Sequence, residues 1–226
     1  MKRIILFLIS CFLFCLLLSC QSSNKKPTFI ITSEQIKHLS EQDIEAIGKQ
    51  VCVESDKQSV VVNENSWLDK KLQMLAQTLP KKINNIELTY KVYLNTAPNA
   101  WSTANGCIRI NSGLIKLLND NELQAVLAHE QAHIALKHTI KSFRQAPYVE
   151  IANKDIFVLI KEDIAQQYEF DADYYAFDLL MRENINPIGL VTMLKKMQNH
   201  STKKLITSHP PNISRINRIL DRLGGK

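Results

Sequence analysis

The sequence predicts a compact α+β domain, mainly helical, with a small β-sheet beside one long central helix. Helical periodicity occupies both flanks of the chain, short alternating runs cluster in the middle, and nothing repeats internally. From the N-terminal side, Ser33–Ser55 and Ser66–Thr78 read as helices, with Pro80 closing the second. Glu87–Leu94 alternates and carries Tyr90, Val92 and Tyr93, so it reads as a strand. Ala100–Thr103 and Cys107–Asn111 flank Ala104-Asn105-Gly106 as a hairpin would. A short helix over Gly113–Leu118 follows, and then a long one over Asn119–Lys141, where Glu122 stands at capping-box distance from Asn119. Helical patterning resumes over Asn153–Glu183. Pro187 opens a further helix, and Pro210-Pro211 introduces the last.

The long helix carries the chemistry. His129-Glu130-Gln131-Ala132-His133 is an H-E-x-x-H run, and residues four apart share one helix face. Both imidazoles can therefore reach one zinc ion, while Glu130 stands where a general base for water is needed. Leu123, Val126, Leu127, Ile134 and Leu136 supply surface to bury this helix, and Ala128 and Ala132 let another element approach closely.

Two histidines leave a tetrahedral site short of a ligand. His138 lies nine residues after His129, about 180° round a continuous helix, so it reads as structural or as supporting a ligand from behind. Glu169-Phe170-Asp171-Ala172-Asp173 fits better: Glu169 and Asp173 share a face and Asp171 points elsewhere. Phe170, Ala172, Tyr175 and Ala176 imply burial, and buried carboxylates need a partner or a metal. One of the pair can bind zinc while the other orients a histidine.

The N-terminus adds a compartment. Lys2 and Arg3 precede an apolar run from Ile4 to Leu18, short of the roughly 20 residues a spanning helix needs. Leu17-Leu18-Ser19-Cys20 has the form of a bacterial lipobox, with Cys20 as the acylated (palmitate-bearing) residue and Gln21–Thr28 as a polar tether. Residues 1–19 are thus expected to be a lipoprotein signal peptide, 20–31 the lipidated cysteine and tether, and 32–226 the functional domain. Gln21 in place of aspartate favours the outer membrane facing the periplasm in a Gram-negative host. Once Cys20 carries lipid, Cys52 and Cys107 remain as an even pair, which export to an oxidising compartment would join as a disulfide. The formal net charge of +6 includes Lys2 and Arg3, and no basic cluster is interleaved with aromatics, so nucleic acid is not an expected partner.

These motifs together resemble the HtpX and CAAX-prenyl-protease class of gluzincin metallopeptidases, and within it the LoiP-type lipoprotein proteases of the bacterial envelope. The resemblance runs from about Thr32 to Leu223. It includes Lys91-Val92-Tyr93, Asn105-Gly106-Cys107-Ile108-Arg109, Ser112-Gly113-Leu114, Asp120-Asn121-Glu122 and Ser208-His209-Pro210-Pro211-Asn212-Ile213-Ser214-Arg215-Ile216. It implies that His129, His133 and Glu169 bind one zinc ion, that Glu130 is the catalytic base and that Asp173 supports the site. It further implies that His209 approaches the metal, either stabilising the tetrahedral intermediate or acting as an extra ligand, and that Arg215 anchors the C-terminal segment to acidic groups. Asn99-Ala100-Trp101 would form an edge strand that pairs with extended peptide, although Trp101 reads equally well as core. Segment Ser142–Ala165, between the two ligand-bearing helices, could gate the cleft. The implied activity is zinc-dependent endoproteolysis of misfolded or unassembled envelope proteins, at the membrane through the lipid on Cys20, with envelope assembly machinery as a candidate partner. The competing expectation is a lipoprotein chaperone or assembly factor whose zinc site His209 closes; retention of Glu130 argues for the enzyme. A prenyl-protein protease fits poorly, because the chain lacks that class's multiple membrane spans.

Overall fold

Residues 28–152, 155–200 and 213–225 are described by a computed structural model. The N-terminal helical region is two helices, α1 (Ser33–His38) and α2 (Glu41–Gln58), where the sequence predicts one. Leu39 is extended, and Ser40 caps α2: its hydroxyl accepts from the Asp43 N–H at 3.1 Å, while Asp43 accepts from the Ser40 N–H at 2.7 Å. This reciprocal cap outcompetes continuation of the helix. Helix α3 is Trp67–Ala76.

The expected strand over Glu87–Leu94 is also divided. Preceding β1 (Thr28–Thr32) belongs to another sheet; β2 (Lys82–Ile83) and β3 (Ile86–Glu87) form a small hairpin turned by Asn84 and Asn85, both left-handed. That backbone is the one two-residue hairpins favour. The central sheet has the order β4-β6-β5, built from β4 (Thr89–Tyr93), β5 (Ala100–Ser102) and β6 (Cys107–Asn111). Strand β6 runs parallel to β4 and antiparallel to β5, which places β5 at the edge of this sheet among the described strands. Gly106 turns the chain at φ 85°, where a Cβ would stand 2.4 Å from the Glu87 carbonyl oxygen.

After α4 (Ser112–Leu117) comes α5 (Asp120–Ala135), the centre of the molecule. Asn119 and Glu122 form a complete capping box, and Lys196 neutralises the buried Glu122 at 2.6 Å. Leu123, Ala125, Leu127, Ala128 and Ala132 are fully buried on several faces, so α5 is enclosed rather than half-solvated. It packs against helices α7 (Glu162–Arg182) and α8 (Ile188–His200), and α9 (Ile213–Leu223) closes over that pair.

Two further expectations are corrected here. The helix predicted over Asn119–Lys141 breaks at Lys137, which adopts a left-handed conformation (φ 58°), and α6 (His138–Gln145) sets off in a new direction. The helix predicted from Asn153 begins only at Glu162. Before it, β7 (Tyr148–Ala152) and β8 (Asp155–Val158) form a hairpin that completes a sheet of order β1-β7-β8. Ile31, Val149, Ile151, Ile156 and Val158 pack from it against Ile36, Ile44, Ile140 and Phe143. Alternation of apolar residues over 148–158 satisfies a sheet face better than a helix face.

Helix α2 is fastened to β6 twice. A disulfide joins Cys52 to Cys107, with 6.5 Å between Cα atoms. One turn further on, Asp56 accepts from Arg109 Nε at 2.8 Å and Nη2 at 3.0 Å, from Lys91 Nζ at 2.7 Å and from the Tyr93 hydroxyl at 2.7 Å. Among the described residues no helix is long and apolar enough to cross a membrane.

Candidate metal centre

Helix α5 presents His129 and His133 on one face, their Nε2 atoms 3.1 Å apart. From α7, Glu169 places Oε2 at 3.4 Å from His129 Nε2 and Oε1 at 3.5 Å from His133 Nε2. A tetrahedral zinc with bonds of about 2.0 Å separates its donor atoms by about 3.3 Å. The three side chains thus already stand at the edge lengths of such a site, and their donor chemistry of two imidazoles and a carboxylate suits zinc.

A buried ion-pair network holds these groups. His129 Nδ1 lies 3.0 Å from Asp173 Oδ1, one α7 turn beyond Glu169. Arg215, on α9 and only 1% exposed, donates to both Asp173 oxygens at 2.7 Å and approaches Glu169 Oε2 at 2.8 Å. Burial pushes the Asp173 carboxyl up, but Arg215 and His129 outweigh burial and hold it below the usual carboxylate range. At His129, burial pulls the imidazole down while Asp173 and Glu169 pull harder the other way, raising it to about 9. The pocket between Glu169 and the histidines is one that favours a cation.

Glu130 is buried next to the cluster and lines an apolar hollow with Leu114, Val126, Met193, Leu194 and Met197. Asn99 and Ala100 border the same hollow. On the other side of β5, Trp101 and Ser102 line a cleft of about 980 Å³ that also reaches His133 and Glu169. Trp101 is half-buried, 6.2 Å from the Tyr93 ring, so it serves the sheet and faces the cleft at once. The opposite wall includes Ile156, Phe157 and Val158 of β8. Segment Ser142–Ala165 thus borders the cleft through Ser142, β8, Ile160 and Ala165. Asp171 points away and accepts from Gln167 at 2.7 Å. His209 and Cys20 lie outside the described residues.

His138 stands behind a ligand, one of the two roles its sequence reading allows, although the continuous helix assumed for it does not form. Because the chain breaks at Lys137, His138 returns to the site, with Nδ1 2.9 Å from His133 Nδ1 and its ring stacked on Tyr168 at 4.4 Å. Burial pushes its imidazole down to about 4. The sequence also passed over Asp56 as the partner of Arg109, Lys91 and Tyr93: its 53-residue separation from Arg109 carries no local signal.

A two-histidine helix completed by a carboxylate from the next long helix, beside the edge strand of a small sheet, defines a metallopeptidase. The family profile for peptidase family M48 matches residues 63–160 and 155–223, and the chain belongs to that family. Metalloprotease YcaL of Escherichia coli (strain K12) is 32% identical over 92% of each chain. Metalloprotease LoiP of the same organism is 32% identical over 84% of each chain. Mitochondrial metalloendopeptidase OMA1 of Saccharomyces cerevisiae is 22% identical over 53% of this chain and 42% of that protein.

Proposed function

We propose that the protein is a zinc endopeptidase of the bacterial envelope that degrades misfolded or unassembled proteins there. The observation that carries this reading is the set of donor separations, 3.1 to 3.5 Å among His129, His133 and Glu169, with Glu130 buried alongside. Bound by those three residues, zinc would supply Lewis acidity that polarises a peptide carbonyl and acidifies water. Glu130 takes the proton of the attacking water and returns it to the departing amide nitrogen. Asp173 holds His129 through Nδ1, and Arg215 holds Asp173, so the first histidine cannot swing out of register.

Edge strand β5 receives the substrate backbone as an added strand, which gives affinity with little sequence preference and suits unfolded chains. The hollow beside Glu130, walled by Leu114, Val126, Met193, Leu194 and Met197, takes an apolar side chain next to the scissile bond. Export is supported by the Lys2-Arg3 start, the apolar run ending at Cys20 and the Cys52–Cys107 disulfide. Lipid on Cys20 would hold the domain at the outer membrane, in reach of periplasmic proteins.

Mass-spectrometric mapping of peptides released from a denatured protein tests the activity. We expect zinc-dependent cuts flanked on one side by apolar residues, and none from Glu130→Gln. Cuts indifferent to side-chain polarity would refute the role of the hollow. Radiolabelled palmitate incorporation that survives Cys20→Ser would refute the anchor.

A further inference from the structure

We propose that His138 is a positioning residue for the metal centre: its Nδ1 accepts a hydrogen bond from His133 Nδ1 and so fixes the tautomer and rotation of that ligand. This rests on the zinc reading of the site. A neutral imidazole has one N–H and one lone pair, and the two are on different nitrogens. His133 turns Nε2 toward His129 and Glu169, so the lone pair that binds zinc is on Nε2 and the proton must reside on Nδ1. That proton faces His138 Nδ1 at 2.9 Å. His138 must therefore offer a lone pair there and carry its own proton on Nε2.

The two ligand histidines are thus held from behind by different chemistry. His129 leans on the Asp173 carboxylate, itself clamped by Arg215; His133 leans on a neutral ring. Several features place that ring. Five residues along a continuous helix, His138 would stand about 140° round from His133 and out of reach. The left-handed Lys137 folds it back, Asn84 Nδ2 covers the exposed Ala135 carbonyl at 2.9 Å, and Lys137 Nζ is tied to Glu41 at 2.6 Å. The ring is 3% exposed and lies nearly parallel to Tyr168, 10° between planes. Tyr168 precedes Glu169, so the residue that seats His138 adjoins the third ligand.

Two substitutions separate hydrogen bonding from packing. His138→Phe keeps a ring for Tyr168 and removes the acceptor; His138→Asn removes the ring and keeps an acceptor near the Nδ1 position. Zinc affinity of the full mature chain, measured by competition with a chromogenic chelator, should fall about ten- to a hundredfold in His138→Phe. In His138→Asn it should stay within severalfold of wild type, whatever that variant loses in zinc-free melting temperature. A phenylalanine variant that binds zinc like wild type, or an asparagine variant that loses as much as phenylalanine, overturns the proposal. Imidazole 15N spectra of zinc-loaded wild type need no variant to fold: His138 protonated on Nε2 supports the assignment, and His138 protonated on Nδ1 overturns it. Wild type that binds no zinc would instead bring down the metal-centre reading.

Discussion

Replacing Asp56 by alanine should loosen the wall of the cleft that α2 provides, and the cost can be worked from the contacts. The substitution removes four hydrogen bonds, from Arg109 Nε and Nη2, Lys91 and Tyr93. Arg109 is 3% exposed and loses its carboxylate, whereas Lys91 is 46% exposed and can turn to solvent. Stranding a buried charge costs about 3–5 kcal/mol; because the Asp56 side chain is itself 19% exposed, water can enter, and about 2–4 kcal/mol is the expected loss at pH 7. Part of that loss depends on pH. Burial pushes the Asp56 carboxyl up, but the bonds from Arg109, Lys91 and Tyr93 outweigh it and bring it down to about 2. A folded-state value below the unfolded one of about 3.9 means stability present above pH ~4 and lost as pH falls toward 2. The shift corresponds to about 1–2 kcal/mol after allowance for solvent screening. Urea unfolding of oxidised wild type and Asp56→Ala at pH 7, 4 and 2.5 measures both effects. A gap that stays constant from pH 7 to pH 2.5 would refute the role given to the ionised carboxylate, and no gap at pH 7 would refute the network.

Arg215→Met should destabilise zinc-free protein by about 3–5 kcal/mol, since it leaves Asp173 and Glu169 as neighbouring buried carboxylates; calorimetry that finds no change contradicts the clamp. Zinc should restore part of that loss by supplying the missing positive charge. Reducing the Cys52–Cys107 bridge, which closes a 55-residue separation, should lower stability by about 4 kcal/mol in urea titrations. Leu127→Ala, at a fully buried site behind the histidines, should cost about 2–5 kcal/mol by the same measurement.

What could be read from sequence follows from how local each signal is. The α5 cap, the His129–His133 spacing and the Glu169–Asp173 pairing depend on residues three or four apart, and the fold brings them together as that spacing implies. The break that returns His138 to the site depends on a lysine in a left-handed conformation, where glycine or asparagine would have announced the turn. Strand β8 falls inside the helix predicted over Asn153–Glu183 because Ile156 and Val158 satisfy either period in so short a run, and only packing against α1, α2 and α6 decides between them. The clamp from Arg215 joins residues 42 apart. Resemblance to a family named it, but periodicity could not.

The most direct test sets wild type beside Glu130→Gln, both purified, both with zinc content measured, on the same unfolded substrate. If the centre works as described, each binds one zinc per chain, wild type cleaves, chelation stops it, added zinc restores it, and Glu130→Gln falls by at least about a thousandfold. Equal cleavage by the two zinc-loaded proteins would contradict the assignment of the base and the account built on it.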